Sequence, residues 1–541
     1  MNKNKLTLSI FALGLMMGGT VMLNSCISDD LNDPIHKISK EDLEGDNYGL
    51  GAFFLPMTDL VVPAQENHYQ MAENLVGDIY GRYMMYTNDG WNAAKNPPLC
   101  NVPSDWYSSP FNYMAEFYAA YNEVKKQTEE KGTNYAWAQI LKVSFMQRLT
   151  DTYGPIPYKS INSTSLTVAY DSQEDVYRAM FDDLNAAIEV LTSYVQANPG
   201  AAPMAKYDNV YAGNFSQWVK YANSLKLRMA LRISKALPDY AREQAESAVK
   251  HPLGVITSNA DNASYYYEKG NPINVMWDSY GDARMCADIL CYMNGYKDKR
   301  LEKYMQKHTG DWSTVEYAAI PSGVYVDLQT NTKKYSAPNI MKTDRLMWLN
   351  AAEVAFCRAE GGLLGWNVGD GGSVADPETF YNQGIQLSFE QWNASGVADY
   401  IEDATSVPDK YVDPAGKHRT MAAPSTMTVK WSESANASEK LERIMIQKWI
   451  ALYPLGQEAW SEIRRTGFPK VFNLPNQANY NIETVPNRLP FSYNEYLNNK
   501  TNTENAVGLL DGEDNFATKL WWQKGNYNFH LRNIHLLITL S

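Results

Sequence analysis

Thr343–Leu364 reads TDRLMWLNAAEVAFCRAEGGLL. Leu346, Leu349, Ala352 and Phe356 recur along it, and apolar residues surround it almost completely. A helix of that kind must be enclosed by other helices. This stretch therefore predicts helix packed on helix rather than helices on a sheet.

Helical signals continue outward on both sides. Asp376-Pro377-Glu378 reads as an N-cap, a first-turn proline and an acid near the positive end of the dipole, opening a helix to about Trp392. Asn436 and Glu439 have capping-box spacing before Ile444, Lys448 and Leu452; Pro454 breaks that helix. Glu458–Arg465 resumes, and Gly467 with Pro469 closes it. Upstream, Asn67–Met85 carries Leu75, Ile79 and Tyr83 at helical spacing. Helices are expected over 113–126, 136–149 and 216–236, and from the Ser172/Asp175 cap through Val176, Met180, Leu184, Ile188 and Leu191. Two more are expected over 282–293 and 300–308. Strand signals are few: Ala263–Tyr267 and Val324–Leu328. Long irregular stretches over 87–110, 262–282, 309–338 and 394–435 contain Trp and Tyr, as functional loops do. About ten helices in pairs predict a mainly α, helical-repeat scaffold carrying long loops and a few short strands.

The chain has 541 residues and a net charge of −13. Its bases are scattered, so no nucleic-acid footprint is present. Five cysteines are too few for a disulfide scaffold, and Cys100, Cys286, Cys291 and Cys357 read as free buried thiols. Lys3 and Lys5 precede an apolar run from Leu6 to Leu23, a secretory leader. Leu23-Asn24-Ser25-Cys26 resembles a lipobox, so 1–25 is a lipoprotein signal peptide and Cys26 the lipidated residue. Losing Lys3 and Lys5 takes the charge from −13 to −15. Ser28-Asp29-Asp30 resembles the signal that exports lipoproteins of the Bacteroides group to the cell surface, and 26–45 reads as a tether.

No catalytic pattern stands out. GxSxG, Walker A, GxGxxG and HExxH are absent, and the seven histidines lack metal spacing. Asp511, Glu513 and Asp514 follow a calcium loop only loosely, so no metal or cofactor is expected, with a structural calcium ion elsewhere left open. Glu353 is the best candidate for a perturbed acid, but Asn350, Glu353 and Glu360 share one helix stripe near Arg358, a plainer account.

Five runs carry a resemblance. They are Asp151–Tyr158 (DTYGPIPY), Asn294–Leu301 (NGYKDKRL), Glu353–Glu360 (EVAFCRAE), the block Gln447–Leu452 with Glu458–Trp460 and Arg464–Gly467, and Arg488–Phe491 (RLPF). In order, they resemble the SusD/RagB family, in its SusD-like branch. Lys299 stands where the family usually has proline. The resemblance implies tetratricopeptide-like helix pairs and a lipid-anchored protein on the outer face of the outer membrane. It further implies a partnership with a SusC-like TonB-dependent transporter, and binding of glycans or oligosaccharides without hydrolysis. An oligopeptide-binding member is the first alternative; a glycoside hydrolase on helical pairs is a second. The resemblance covers about Asp46 to Gln523 and implies a ligand-binding domain over 46–525; the tail 526–541 departs from it.

Sugar rings stack their C–H faces on aromatic rings while polar side chains fix the hydroxyls. Asp78–Tyr118 holds ten aromatics in 41 residues. The candidate ligand contacts are Trp91 and Asn92, expected on a turn; Trp106 and Tyr107, on a second turn; Asp78 and Arg82; and Trp312 and Tyr325 in the later loop.

Overall fold

The computed structural model describes residues 47–161, 167–527 and 529. The leader, Cys26, the tether and most of the tail lie outside the described residues. The elements below belong to the unit that begins at Gly49.

The expected helix pairs are present. In chain order the main helices are α1 (Phe54–Val61), α2 (Ser104–Thr128), α3 (Gly132–Tyr153), α4 (Gln173–Ala197), α5 (Phe215–Arg232), α6 (Pro238–Lys250), α7 (Ala287–Gly295), α8 (Ala351–Leu363), α9 (Pro377–Gln391), α10 (Ala437–Leu452) and α11 (Gly456–Thr466). Successive helices pack on one another: α2 on α3, α3 on α4, α4 on α5, α5 on α6, then α8 on α9 and α10 on α11. Their ends follow the local chemistry. The Ser172 hydroxyl accepts from Asp175 N at 3.1 Å, and Asp376 accepts from Thr379 N at 3.0 Å. Asn436 and Glu439 form a full capping box, each backbone N–H donating to the other's side chain at 3.0 Å. Gly467, at φ +79°, ends α11 in the left-handed conformation that a Cβ would oppose.

Three expected helices turn into strands at one end. Met84–Tyr86 (β1) pairs antiparallel with Ala283–Met285 (β3), in register Met84↔Met285. Ala263–Tyr265 (β2), at the expected strand, pairs with Leu346–Leu349 (β4). The quoted run Thr343–Leu364 is therefore a strand followed by α8, whose N-cap is Asn350. These strand ends are largely buried and only three or four residues long, and such short runs have no period that separates strand from helix. The Asn67–Met85 stripe is real, since Leu75, Ile79 and Tyr83 are buried, but its backbone includes a wide π turn over Gln70–Gly77. The 300–308 helix shortens to Leu301–Tyr304, and Val324–Leu328 forms no strand. In the other direction, α2 begins nine residues before the expected Tyr113 and takes in Pro110.

The core between the helices is charged as well as apolar. Arg228 holds Glu353 through two bonds of 2.6 Å. Arg232 meets Glu458, Glu462 (2.8 Å) and Asp151 (3.2 Å). Arg465 clasps Glu360 at 2.5 and 2.7 Å, and Lys448 reaches Glu462 at 3.0 Å. All these side chains are buried. Such ions persist only because each finds partners. Arg358 pairs not with its helix neighbours but with Asp370, at 2.5 Å.

The five quoted runs meet in this interior. Arg488 Nε donates to Tyr153 O at 3.0 Å, Arg300 binds Asp298 at 2.6 Å and Gln447 at 3.3 Å, and Arg465 joins Glu360. These motifs hold the scaffold together. All four described cysteines are free and buried.

Candidate functional site

Three loops converge at one end of β1 and α2: 87–103, 320–333 and 472–485. Asparagine side chains tie them together. Asn92 Nδ2 donates to Val326 O at 2.8 Å, while its Oδ1 accepts from Val326 N at 2.8 Å. Asn476 donates to Gly323 O at 2.9 Å, and Asn479 to Cys100 O at 3.1 Å. Gln329 N donates to Asp89 at 3.3 Å. A side-chain amide that copies a strand's hydrogen bonds fixes one loop against another without a ladder. The Val324–Leu328 segment is thus held by Asn92, which explains why strand-like residues there form no sheet.

Trp91 closes a short turn, Asp89–Trp91, capped by Asn88, as expected. Its ring lies 5.2 Å from Trp106, edge to face at 80°, and 5.9 Å from Tyr86. Lys95 Nζ sits 5.6 Å from the Trp106 ring. Trp106 and Tyr107 occupy not a turn but the start of α2, which gives them a rigid base. Tyr107 meets Phe516 edge-on at 6.2 Å, and Tyr480 lies 5.9 Å from the same Phe516. Trp91, Trp106 and Tyr107 are half-buried, whereas Tyr325 and Tyr480 are 56% and 50% exposed. Tyr480 holds a left-handed backbone, φ +61°, that stands its ring outward. The structure therefore joins Trp91 to Trp106 and Tyr86, joins Tyr107 to Tyr480 through Phe516, and ties the loop of Tyr325 to Asn92. Tyr480 had a signal in sequence: an aromatic between asparagines in a loop, NQANYN.

Trp312 makes its ring contacts with other residues. It packs between His308 (5.1 Å) and Tyr335 (4.8 Å) and lines a separate cavity of about 250 Å3 with Asp311, Asp327 and His418. None of its ring contacts reaches the Trp91 group.

Asp78 and Arg82 are enclosed, at 0% and 1% exposure, and cannot touch a ligand at the surface. Nor do they pair with each other. Arg82 lies 3.5 Å from Asp288 and donates to Thr484 O at 2.7 Å. Asp78 accepts from the Tyr69 hydroxyl at 3.1 Å, and its other oxygen has no hydrogen-bond partner. Burial pushes the Asp78 carboxyl up to about 7.

Glu353 faces Arg228, not a cavity, so it has no route to a substrate. Among the described residues no cluster could hold a metal ion. Asp514 of the loose calcium pattern is taken by Arg488 at 2.5 Å and by the Tyr496 hydroxyl at 2.8 Å. No helix among the described residues is long and apolar enough to cross a membrane.

Comparisons with known proteins give one consistent answer. The family model described as "SusD-like: Susd and RagB outer membrane lipoprotein" matches residues 30–523. A SusD homologue from Bacteroides uniformis is 40% identical, with a TM-score of 0.82, over 88% of this chain and 99% of that one. A SusD-like protein from Bacteroides thetaiotaomicron is 35% identical, with a TM-score of 0.83, over 87% and 98%. A chitin-binding SusD homologue from Flavobacterium johnsoniae is 34% identical, with a TM-score of 0.84, over 89% of this chain and all of that one. A comparison with curated proteins returned no match.

Proposed function

This chain belongs to the SusD-like family of outer membrane lipoproteins, and from that premise we propose that it captures glycans and delivers them, uncleaved, to a SusC-like TonB-dependent transporter. The observation that carries the reading is the aromatic platform of Trp91, Trp106, Tyr107, Tyr325 and Tyr480. Its rings are partly exposed, Trp91 is braced edge-on by Trp106 and Tyr107 by Phe516, and asparagine bonds fix the neighbouring loops. Such a surface offers apolar faces to pyranose rings, and it loses little entropy on binding because it is already ordered. The chitin-binding relative supports the ligand class. Lipidation at Cys26 would anchor the domain through the 26–45 tether on the outer face of the membrane.

Affinity gels cast with a panel of polysaccharides, chitin derivatives included, test the reading. Retardation by at least one glycan, with no reducing sugar released, is the expected result. No retardation by any, together with binding of an oligopeptide pool, would favour the peptide alternative. Release of product abolished by one Asp or Glu substitution would make it a hydrolase. Cys26→Ala should leave a chain that no longer partitions into detergent.

A further inference from the structure

The described surface holds several clefts, and their charges differ in kind. Those beside Asn294, Trp312 and Lys297 each include carboxylates: Glu316 and Asp409 in one, Asp311 and Asp327 in another, Asp298 and Glu302 in a third. A cleft of about 550 Å3 at the end of α11 has none. Its charged lining is Arg464, Lys470 and Lys519, joined by the amides Asn473, Asn487 and Gln523.

Arg464 forms the inner wall. It is 8% exposed, stacked 3.5 Å over the Trp460 ring, and donates to Asn487 O at 2.7 Å and to the Ser461 hydroxyl at 2.8 Å. Unlike Arg228, Arg232 and Arg465, it has no carboxylate within 4 Å among the described residues; Asp151 and Glu458 attract it only from farther away, and Arg232 repels it. A guanidinium carries five N–H donors, and these bonds with that to Trp460 O use three of them. Lys519 is exposed, and Lys470 meets one acid, Glu442, at 3.7 Å. The carbonyl end of α11 opposes an anion here, but it amounts to about half a charge against Arg464, Lys519 and a Lys470 only partly offset by Glu442.

We infer that this cleft binds an oxyanion, the carboxylate or sulfate of an acidic saccharide. The buried guanidinium supplies a fixed fork for two oxygens, the lysines a positive mouth, and the amides donors for neighbouring hydroxyls. The whole chain is acidic, but a local field decides which ligand enters a cleft. The word saccharide rests on the glycan reading above; the oxyanion chemistry does not.

Calorimetric titration of the whole protein at low ionic strength with sodium sulfate, D-glucuronate and D-glucose tests the inference. Sulfate and glucuronate should bind saturably and glucose should not. Lys470→Gln with Lys519→Gln, two exposed positions that leave the core intact, should weaken both anions about tenfold or more. Lys417→Gln, at the Trp312 cavity, should change nothing. Glucuronate binding more tightly than sulfate identifies a sugar acid; equal binding identifies the oxyanion alone, and either supports the site. Absence of saturable binding by both anions overturns it, as does equal binding of glucose or an unchanged double variant. Neutral glycans retained in gels with no anion bound would sink this site and leave the platform standing; anion binding without any glycan retention would do the reverse.

Discussion

The helical interior and the loop platform use polar side chains in opposite ways. Inside, charges are matched to charges: Arg232 alone touches three carboxylates, and Arg465 and Lys448 share Glu462. At the platform, neutral amides bind backbone, and the rings between them stay partly uncovered. The first arrangement is costly to disturb, because removing one partner strands a buried ion. The second can lose a ring at modest cost in stability. On the proposed reading, folding and ligand capture rest on different residues, and substitutions should separate them.

The largest effect is expected in the interior. Arg232→Ala leaves Asp151, Glu458 and Glu462 without their shared cation, and should cost about 3–5 kcal/mol of stability. Denaturant unfolding measures the loss. Glycan affinity in the molecules still folded should be unchanged; a parallel loss of affinity at full stability would break the contrast.

Asp78 sharpens it, being a carboxylate of the interior that lacks a cation. Its folded value, about 7, lies above the unfolded value of 3.8. Between those pH values the folded chain holds a proton that the unfolded chain has released. Its contribution is therefore full below about pH 4 and fades as pH rises toward 7. A shift of that size corresponds to about 4 kcal/mol at most. Asp78→Asn should flatten this part of the stability-versus-pH curve and leave the variant more stable than the parent at pH 8. A slope unchanged from the parent would refute the assignment.

Trp91→Ala tests the platform directly. Removing a stacked ring at a binding centre costs about 2 kcal/mol, so affinity for a retained glycan should fall at least about tenfold. The melting temperature should move little, because Trp91 is only half-buried. The opposite pair of results, a lower melting temperature with affinity intact, would make Trp91 a packing residue. Trp312→Ala, in its separate cavity, should leave that affinity alone.

The smallest effect joins the two regions. Asn92→Ala removes both bonds to Val326 and should cost about 1 kcal/mol of stability. Affinity should fall less than in Trp91→Ala, since the rings remain and only their spacing loosens. Loss of affinity greater than that of Trp91→Ala would mean that Asn92 itself contacts the ligand.

Much of the scaffold was legible because its signals are local. The Ser172, Asp376 and Asn436 caps, the stop at Pro454 and the glycine after α11 all act within a few residues of themselves. The strands β1, β3 and β4 were hidden for the converse reason. Each pairs with a segment far along the chain and is only three or four residues long. Trp91 on its turn was legible too, whereas Asp78 and Arg82 drew attention through i, i+4 spacing that says nothing about depth.

The sequence by itself determined the helix pairs, the ordered motifs that mark the family, and an aromatic-rich early loop. Only the tertiary structure decided which partners the buried ions take, Arg228 for Glu353 and Arg465 for Glu360. It also decided that asparagine bonds tie together the loops of Trp91, Tyr325 and Tyr480, while the Trp312 ring packs on His308 and Tyr335. The physical reason is range. Caps, turns and hydrophobic periods depend on neighbours within one or two helical turns, whereas the pairs Arg228–Glu353 and Arg465–Glu360 and the Asn92 clamp on Val326 join residues more than a hundred positions apart, which only the packed fold brings together.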